Sequence, residues 1–255
     1  MSLDGRIALI SGGSRGIGRG ITDALAADGA TVAINYRRDE DAARELVEQI
    51  EGRGGRAIAY QASVDDPQAV HDMVRQIESD LGPIGILVHN AGIASRGRAV
   101  ADTDPAELQR VMATHAFAGH YLSAQVIPAM RELDRADIVM ISSVATRNLN
   151  ANGAPYNMAK AALEALAFTL AKEERKHGVR VNIVAPGLVD TEMGRRLARA
   201  TAGVDDIHEL DAKMPFGRVC TPDDIANAVR FLVSPQNSYV TGEKIHVDGG
   251  GQSYR

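Results

Sequence analysis

The sequence predicts an α/β protein, a Rossmann-like doubly wound parallel sheet of about seven strands with helices on both faces, folded as a single domain over residues 1–255. Three observations predict it. Short apolar runs alternate with amphipathic helical patterns almost from end to end. The runs lack the polar alternate face of a half-exposed strand, which suits a parallel sheet covered on both sides. A glycine-rich turn follows the first run and opens the first helical pattern.

In chain order the expected strands are "RIALIS", "TVAINY", "RAIAYQ", "IGILVH", "DIVMIS", "RVNIVA" and "EKIHV". Between the second and third, "DEDAARELVEQIEG" places Ala42, Leu46, Val47 and Ile50 on one helical stripe and its charges on the other. Two long helices are expected, Pro105 to Leu133 and Ala154 to His177, with exposed-looking apolar positions at Phe117, Tyr121, Leu166 and Phe168. Thr191 to Phe216 is the one irregular stretch. Its charges fit solvated helical faces, and its place after a strand's carboxyl end fits a mobile substrate cover. Nothing marks a repeat, a linker or a domain boundary.

Composition removes several function classes. A formal charge of -5 with interleaved signs, and only 4% aromatic residues, offers no basic stripe or stacking platform for nucleic acid. One cysteine, Cys220, excludes an intrachain disulfide and a cysteine zinc cluster, and the seven histidines show no ligand spacing for a metal. No run reaches the length of a membrane span, and "IALI" is too short for a signal core. A soluble, cytoplasmic protein is expected.

In "ALISGGSRGIGRGI", Gly12, Gly16 and Gly18 sit between the first strand and a helix. Such a turn lets backbone amides approach a pyrophosphate at the helix N-terminus. Its spacing, G-x-x-x-G-x-G, differs from the commoner dinucleotide fingerprint. The second strand ends "NYRRDE", so Tyr36 stands where NAD-selective sites place a carboxylate, and Arg37 and Arg38 follow. Arg15 projects from the turn itself. Guanidiniums here favour the 2′-phosphate of NADP(H), with NAD(H) still possible. The bland alternative is surface arginine, with Asp39 capping the next helix.

Tyr156 and Lys160 in "APYNMAK" lie four apart on one helical face. Alone, that spacing fits a snorkelling lysine beside a half-buried tyrosine. The wider pattern changes the weight: "SGGSRGIG", "HNAG", Ser143, "YNMAK", "APG" and "YVTGEKIHVDGG" occur in the order seen in short-chain dehydrogenases/reductases, across essentially the whole chain. The chain most resembles the subclass of 3-oxoacyl-acyl-carrier-protein reductases, acetoacetyl-CoA reductases and sugar or alcohol dehydrogenases. The resemblance implies that Tyr156 is the general acid/base, that Ser143 orients the carbonyl, and that Lys160 lowers the tyrosine pKa and holds the nicotinamide ribose. It implies cofactor contacts at Gly12, Ser14, Arg15, Gly16, Ile17, Gly18, Tyr36 and Arg37. Further contacts are implied at Ser63 and Val64 by the adenine, at Asn90, Ala91 and Gly92 by the ribose, and at Pro186, Gly187, Val189 and Thr191 by the carboxamide.

Three positions depart from the family pattern: Ser63 replaces the usual aspartate, His89 the first asparagine of "NNAG", and His115 the catalytic asparagine. The asparagine serves largely through its backbone carbonyl in a proton relay, so His115 is expected to keep that role. An imidazole with a reference pKa near 6.5 offers a proton shuttle of its own.

Hydride transfer to a ketone leaves a developing alkoxide that needs a proton, and a tyrosine with a pKa lowered from about 10 suits that exchange. A cation about 4 Å away supplies about 4 kcal/mol at an effective dielectric near 20. Ser143 adds a second hydrogen bond to the same oxygen. A serine hydrolase is excluded because no G-x-S-x-G elbow surrounds Ser143. The expected function is NADPH-dependent reduction of a ketone, a 3-oxoacyl thioester or related carbonyl, to a secondary alcohol. A dehydrogenase of sugars, cyclic alcohols or steroids is the alternative, and a non-catalytic NADP(H)-binding regulator is the alternative of another class. An acyl carrier would meet Arg131, Arg135, Arg175 and Lys176, diluted by Glu132, Asp134, Glu173 and Glu174. No nucleic acid or membrane partner is expected; the resemblance implies a homotetramer.

Overall fold

The computed structural model describes residues 2–251, so residue 1 and residues 252–255 of the expected domain lie outside the described residues. The chain runs β1 (Ile7–Ser11), α1 (Gly16–Ala27), β2 (Thr31–Tyr36), α2 (Glu40–Glu51), β3 (Arg56–Gln61), α3 (Pro67–Leu81) and β4 (Ile86–His89). Then come α4 (Pro105–Met112), a π-helical turn (Ala113–Phe117), α5 (Ala118–Met130), β5 (Ala136–Ile141), the short α6 (Ala145–Asn148) and α7 (Ala154–Glu174). The chain continues through β6 (Val179–Pro186), α8 (Glu192–Ala202), α9 (Pro222–Val233) and β7 (Lys244–Val247).

Among the described residues the strands form one seven-stranded sheet, ordered β3-β2-β1-β4-β5-β6-β7, with every pairing parallel. Successive strand residues face opposite sides, and the two cores follow from that. Leu9, Leu87 and Ile138 pack with α3, α5 and α7 through Val74, Ile77, Leu122, Val126 and Leu163. Ala8, Ile10 and Val88 pack on the other side with α1, α2 and α9 through Ile21, Leu25, Leu46, Ile225 and Val229. The central strands are therefore buried on both faces, as their sequence runs require. The outer strands β3 and β7 are only partly covered, because each has a neighbour on one side alone.

Helix starts follow local chemistry. Asp66 caps α3 through the Ala69 N–H ahead of Pro67, Thr221 and Asp224 form a capping box on α9, and Asp39 caps α2 through the Ala42 N–H at 3.2 Å. At the amino edge of the sheet, buried Asp137 accepts from Arg6 at 2.7 Å and Arg135 at 2.9 Å. Those guanidiniums also bond the carbonyls of Gly85, Val233 and Asn237. This charged staple ties strands to α9 at the end opposite the glycine turn.

The expected helix from Pro105 to Leu133 is interrupted by the π turn, and the expected helix from Ala154 gives way to a 3-10 turn at Arg175–His177. Phe117 and Phe168 are exposed, whereas Tyr121 and Leu166 pack against the core. The stretch from Thr191 to Phe216 is ordered as α8 followed by 3-10 turns, with its own small cluster of Ala198, Ile207, Leu210 and Val219. Among the described residues no helix is long and apolar enough to cross a membrane, and no cluster of side chains suits a metal ion.

Candidate active site

The glycine turn leaves β1 at Ser11. Gly12 and Gly16 both have positive φ, 62° and 55°, a region open to glycine at little cost. At Gly18 a Cβ would collide with the Gly12 carbonyl, so the helix can approach the turn this closely only with glycine there. Asn90, directly after β4, donates to the carbonyls of Ser11 and Gly12, each at 3.1 Å. Asn35, which the sequence reading missed, closes the turn from the other side: its carboxamide meets the Gly12 N–H at 3.3 Å and the Ala62 carbonyl at 3.1 Å. Its signal was a polar residue inside the apolar run "TVAINY".

The first turn of α1 has no side-chain cap and no acidic residue, and its N-cap is Arg15. Free N–H groups, the positive end of the helix and a turn cleared of Cβ atoms together fit a dinucleotide pyrophosphate. Ser14 is buried in the turn, and Ile17 packs against the core. The two expected phosphate-binding arginines are exposed, and each already faces a carboxylate at 3.9 Å: Arg15 faces Glu192 of α8, and Arg37 faces Asp65. Asp65 also accepts a very short hydrogen bond from Ser63. A carboxylate thus lies against position 63, where the family usually has aspartate, beside buried Val64. Tyr36 ends β2 at the same rim.

On the far side of the switch point between β1 and β4, Pro186 ends β6 and the Gly187 N–H bonds the Val247 carbonyl at 3.0 Å. Val189 is buried, and Thr191 caps α8 through the Gly194 N–H at 3.1 Å. A Cβ at Gly16 would touch the Thr191 methyl, so the glycine turn and the start of α8 face one another.

Ser143, Tyr156, Lys160 and His115 converge at this carboxyl edge. Ser143 follows β5, and its hydroxyl oxygen accepts from the Ala145 N–H at 3.1 Å. Tyr156 and Lys160 occupy α7, with the ammonium 5.7 Å from the phenol ring centroid. Burial pushes the Tyr156 phenol up, and a hydrogen bond with Ser143 acts against that. The net shift of the phenol is thus upward, opposite to the expected lowering, because burial is the larger effect. Lys160 is itself buried, so its ammonium is pushed down to about 7, with Glu164 opposing the shift. Its Nζ donates to the Ile141 carbonyl at 2.6 Å.

The sequence reading also missed Glu164, one turn beyond Lys160 on the same helix. Its carboxylate accepts from the Ser142 hydroxyl, from the Thr146 hydroxyl at 2.8 Å and from Lys244 of β7 at 2.7 Å. The residues on both sides of Ser143 are thereby fixed to α7. The i, i+4 spacing from Lys160 was the available signal.

His115 lies in the π turn, 1% exposed. Its ring stands edge-on to Tyr156, with centroids 5.3 Å apart and planes at 84°. Its Cε1 side fills the space a Cβ at Gly92 would need. Nε2 lies 2.9 Å from the Ile93 carbonyl and 3.1 Å from the Ile93 N–H, beside Ala91 and Gly92. Burial holds its pKa well below 6.5, so the ring is neutral near pH 7. The expectation of a proton shuttle titrating around neutrality is corrected accordingly.

Known proteins resemble the chain over nearly its whole length. A family model described as enoyl-(acyl carrier protein) reductase matches residues 12–252. The 3-oxoacyl-(acyl-carrier-protein) reductase FabG of Escherichia coli (strain K12) is 36% identical over 250 residues, covering 98% of both chains. A short-chain dehydrogenase from Burkholderia cenocepacia J2315 in complex with NADP is 35% identical, covers 98% of both chains and has a TM-score of 0.86. A 7α-hydroxysteroid dehydrogenase complexed with NADH and 7-oxo glycochenodeoxycholic acid is 33% identical, with a TM-score of 0.90 over 98% of this chain and 95% of that one. Likeness of this extent, in sequence and in fold, shows that the chain belongs to the short-chain dehydrogenase/reductase family of oxidoreductases.

Proposed function

We propose that the protein is an NADPH-dependent reductase that converts a ketone, a 3-oxoacyl thioester or a related carbonyl, to a secondary alcohol. The observation that carries this reading is the meeting of Ser143, Tyr156 and Lys160 at one end of the sheet, beside a glycine turn flanked by Arg15 and Arg37. Gly12 to Gly18, Asn90, Val189 and Thr191 would hold the dinucleotide, and Arg15 and Arg37 would exchange their contacts with Glu192 and Asp65 for its 2′-phosphate. When bound, the reduced nicotinamide supplies the hydride.

The chain's own residues do the rest. Ser143 and Tyr156 aim two hydroxyls at the oxygen where negative charge develops, and Tyr156 gives up its proton there. The phenol's burial disfavours a free phenolate, so its proton stays in place until the alkoxide forms. The buried Lys160 ammonium stabilises the phenolate left behind, because charges interact more strongly out of water. Lys160 also orients the nicotinamide ribose.

A second reading, oxidation or reduction of a cyclic alcohol or steroid, is supported by the likeness to a hydroxysteroid dehydrogenase. Incubation with NADPH or NADH and a panel of oxoacyl thioesters, sugars and cyclic ketones tests both. Loss of the reduced cofactor's absorbance with thioesters supports the first reading, and turnover confined to cyclic ketones the second. No turnover with any carbonyl would favour a cofactor-binding regulator. We place the protein in the cytoplasm as a homotetramer, an assembly that sedimentation would check.

A further inference from the structure

Two positions at which this chain leaves the family pattern, His89 and His115, are bonded to one another. Nε2 of His89, the last residue of β4, lies 2.8 Å from the backbone carbonyl oxygen of His115 in the π turn. The other ring nitrogen, Nδ1, lies 2.9 Å from the Ser11 hydroxyl at the end of β1. Both histidines are at most 1% exposed.

The hydrogens along this chain follow from counting donors. The Ser11 oxygen accepts from the Asn90 N–H at 3.0 Å and from the Ala91 N–H at 3.1 Å. Both its lone pairs are then occupied, so its own proton points to His89 Nδ1. His89 Nδ1 is therefore the acceptor, the proton of the neutral ring sits on Nε2, and it is donated to the His115 carbonyl. A second proton on this ring would face a hydroxyl with no lone pair left. Burial and the Lys160 charge act in the same direction, and His89 is held down to about 4. The titratable groups around it are Lys160 on α7 and His115 on the π turn.

We propose that His89 is a positioning residue: locked by Ser11 in its Nε2–H form, it fixes the carbonyl of residue 115 and with it the π turn that seats the His115 ring against Tyr156. The glycine turn and the catalytic helix are thereby linked through one ring, since the same Ser11 hydroxyl holds the Asn90 and Ala91 amides. The catalytic part of this proposal rests on the Ser143, Tyr156 and Lys160 reading above, whereas the tautomer does not.

The experiment combines nitrogen NMR with three variants of the full chain. In protein carrying 15N-histidine, His89 is expected as the neutral Nε2–H tautomer from pH 8 down to about pH 5. An Nδ1–H tautomer, or titration near pH 6.5, would overturn the proposal whether or not any ketone is reduced. His89→Gln keeps an amide donor that reaches the residue 115 carbonyl, His89→Asn reaches only Ser11, and His89→Leu reaches neither. Turnover is expected to fall at least about tenfold in Leu and Asn and to recover to within about threefold in Gln, with KM for NADPH little changed throughout. Equal losses in all three, following their melting temperatures, would reduce His89 to a packing residue and sink the positioning role. Should the Leu variant fail to fold, the Gln to Asn ratio carries the same test.

Discussion

Glu164 and Lys244 meet at 2.7 Å, and the hydroxyls of Ser142 and Thr146 bond the same carboxylate. The pair joins α7 to β7 around the residues that flank Ser143. Breaking it from one side leaves Lys244 half-enclosed without a counter-charge. Glu164→Gln is expected to cost about 3 kcal/mol in urea unfolding. It should also move the basic limb of the pH–rate profile to lower pH, because Glu164 raises the Lys160 pKa and activity needs the ammonium. A limb that stays in place, or moves up, would separate Glu164 from Lys160.

Tyr156→Phe removes the proposed proton donor and leaves the glycine turn, Arg15 and Arg37 untouched. NADPH affinity should stay within a few-fold, while ketone reduction falls at least about a hundredfold, the usual reach of general acid catalysis. Stopped-flow turnover and fluorescence titration of NADPH measure the two separately. Near-normal turnover would refute the role.

Arg15 and Arg37 are the proposed carriers of the cofactor preference. Replacing both by alanine is expected to raise KM for NADPH about tenfold or more while changing KM for NADH little, since only the former has a 2′-phosphate. Steady-state kinetics with each cofactor decide it; equal changes in both would remove the phosphate clamp.

Lys160 is held near pH 7 by burial, far below its value of about 10.4 in the unfolded chain. Below pH 7 it is charged in both states, and folding carries the full cost of burying it. Between about 7 and about 10.4 the unfolded chain binds the extra proton, so wild-type stability rises with pH. Lys160→Met is therefore expected to be inactive yet to melt a few degrees higher at pH 6, with its advantage shrinking towards pH 10. Calorimetry across that range checks both the sign and the window. A variant less stable than wild type at pH 6 would show that the bond to the Ile141 carbonyl outweighs the buried charge.

The sheet was legible because "IALIS", "ILVH" and "DIVMI" have no polar face, and strands covered on both sides need none. The glycine turn was legible because Gly12, Gly16 and Gly18 stand where a strand meets a helix. Spacing could place Tyr156 beside Lys160 but not say how deeply both would be buried, and burial sets the direction of both shifts. Glu164 escaped notice because Ser142, Thr146 and Lys244 reach it from three separate stretches of chain. The bond between His89 and His115 is hidden for the same reason: one end is a backbone carbonyl, which leaves no mark on residue type.

The π turn at Ala113–Phe117 has a further consequence. Such a turn spends one more residue than an α turn, and His115 is the middle of the five residues that form it. Val111 before it and Leu122, Val126 and Met130 after it are all buried. The place of His115 therefore depends on how many residues the turn holds as well as on which they are. A one-residue deletion between 113 and 117 would remove the extra residue and let α4 run into α5 as an uninterrupted α-helix. Substitutions can tune what residue 115 does, whereas a change in chain length would erase the wide turn that seats it.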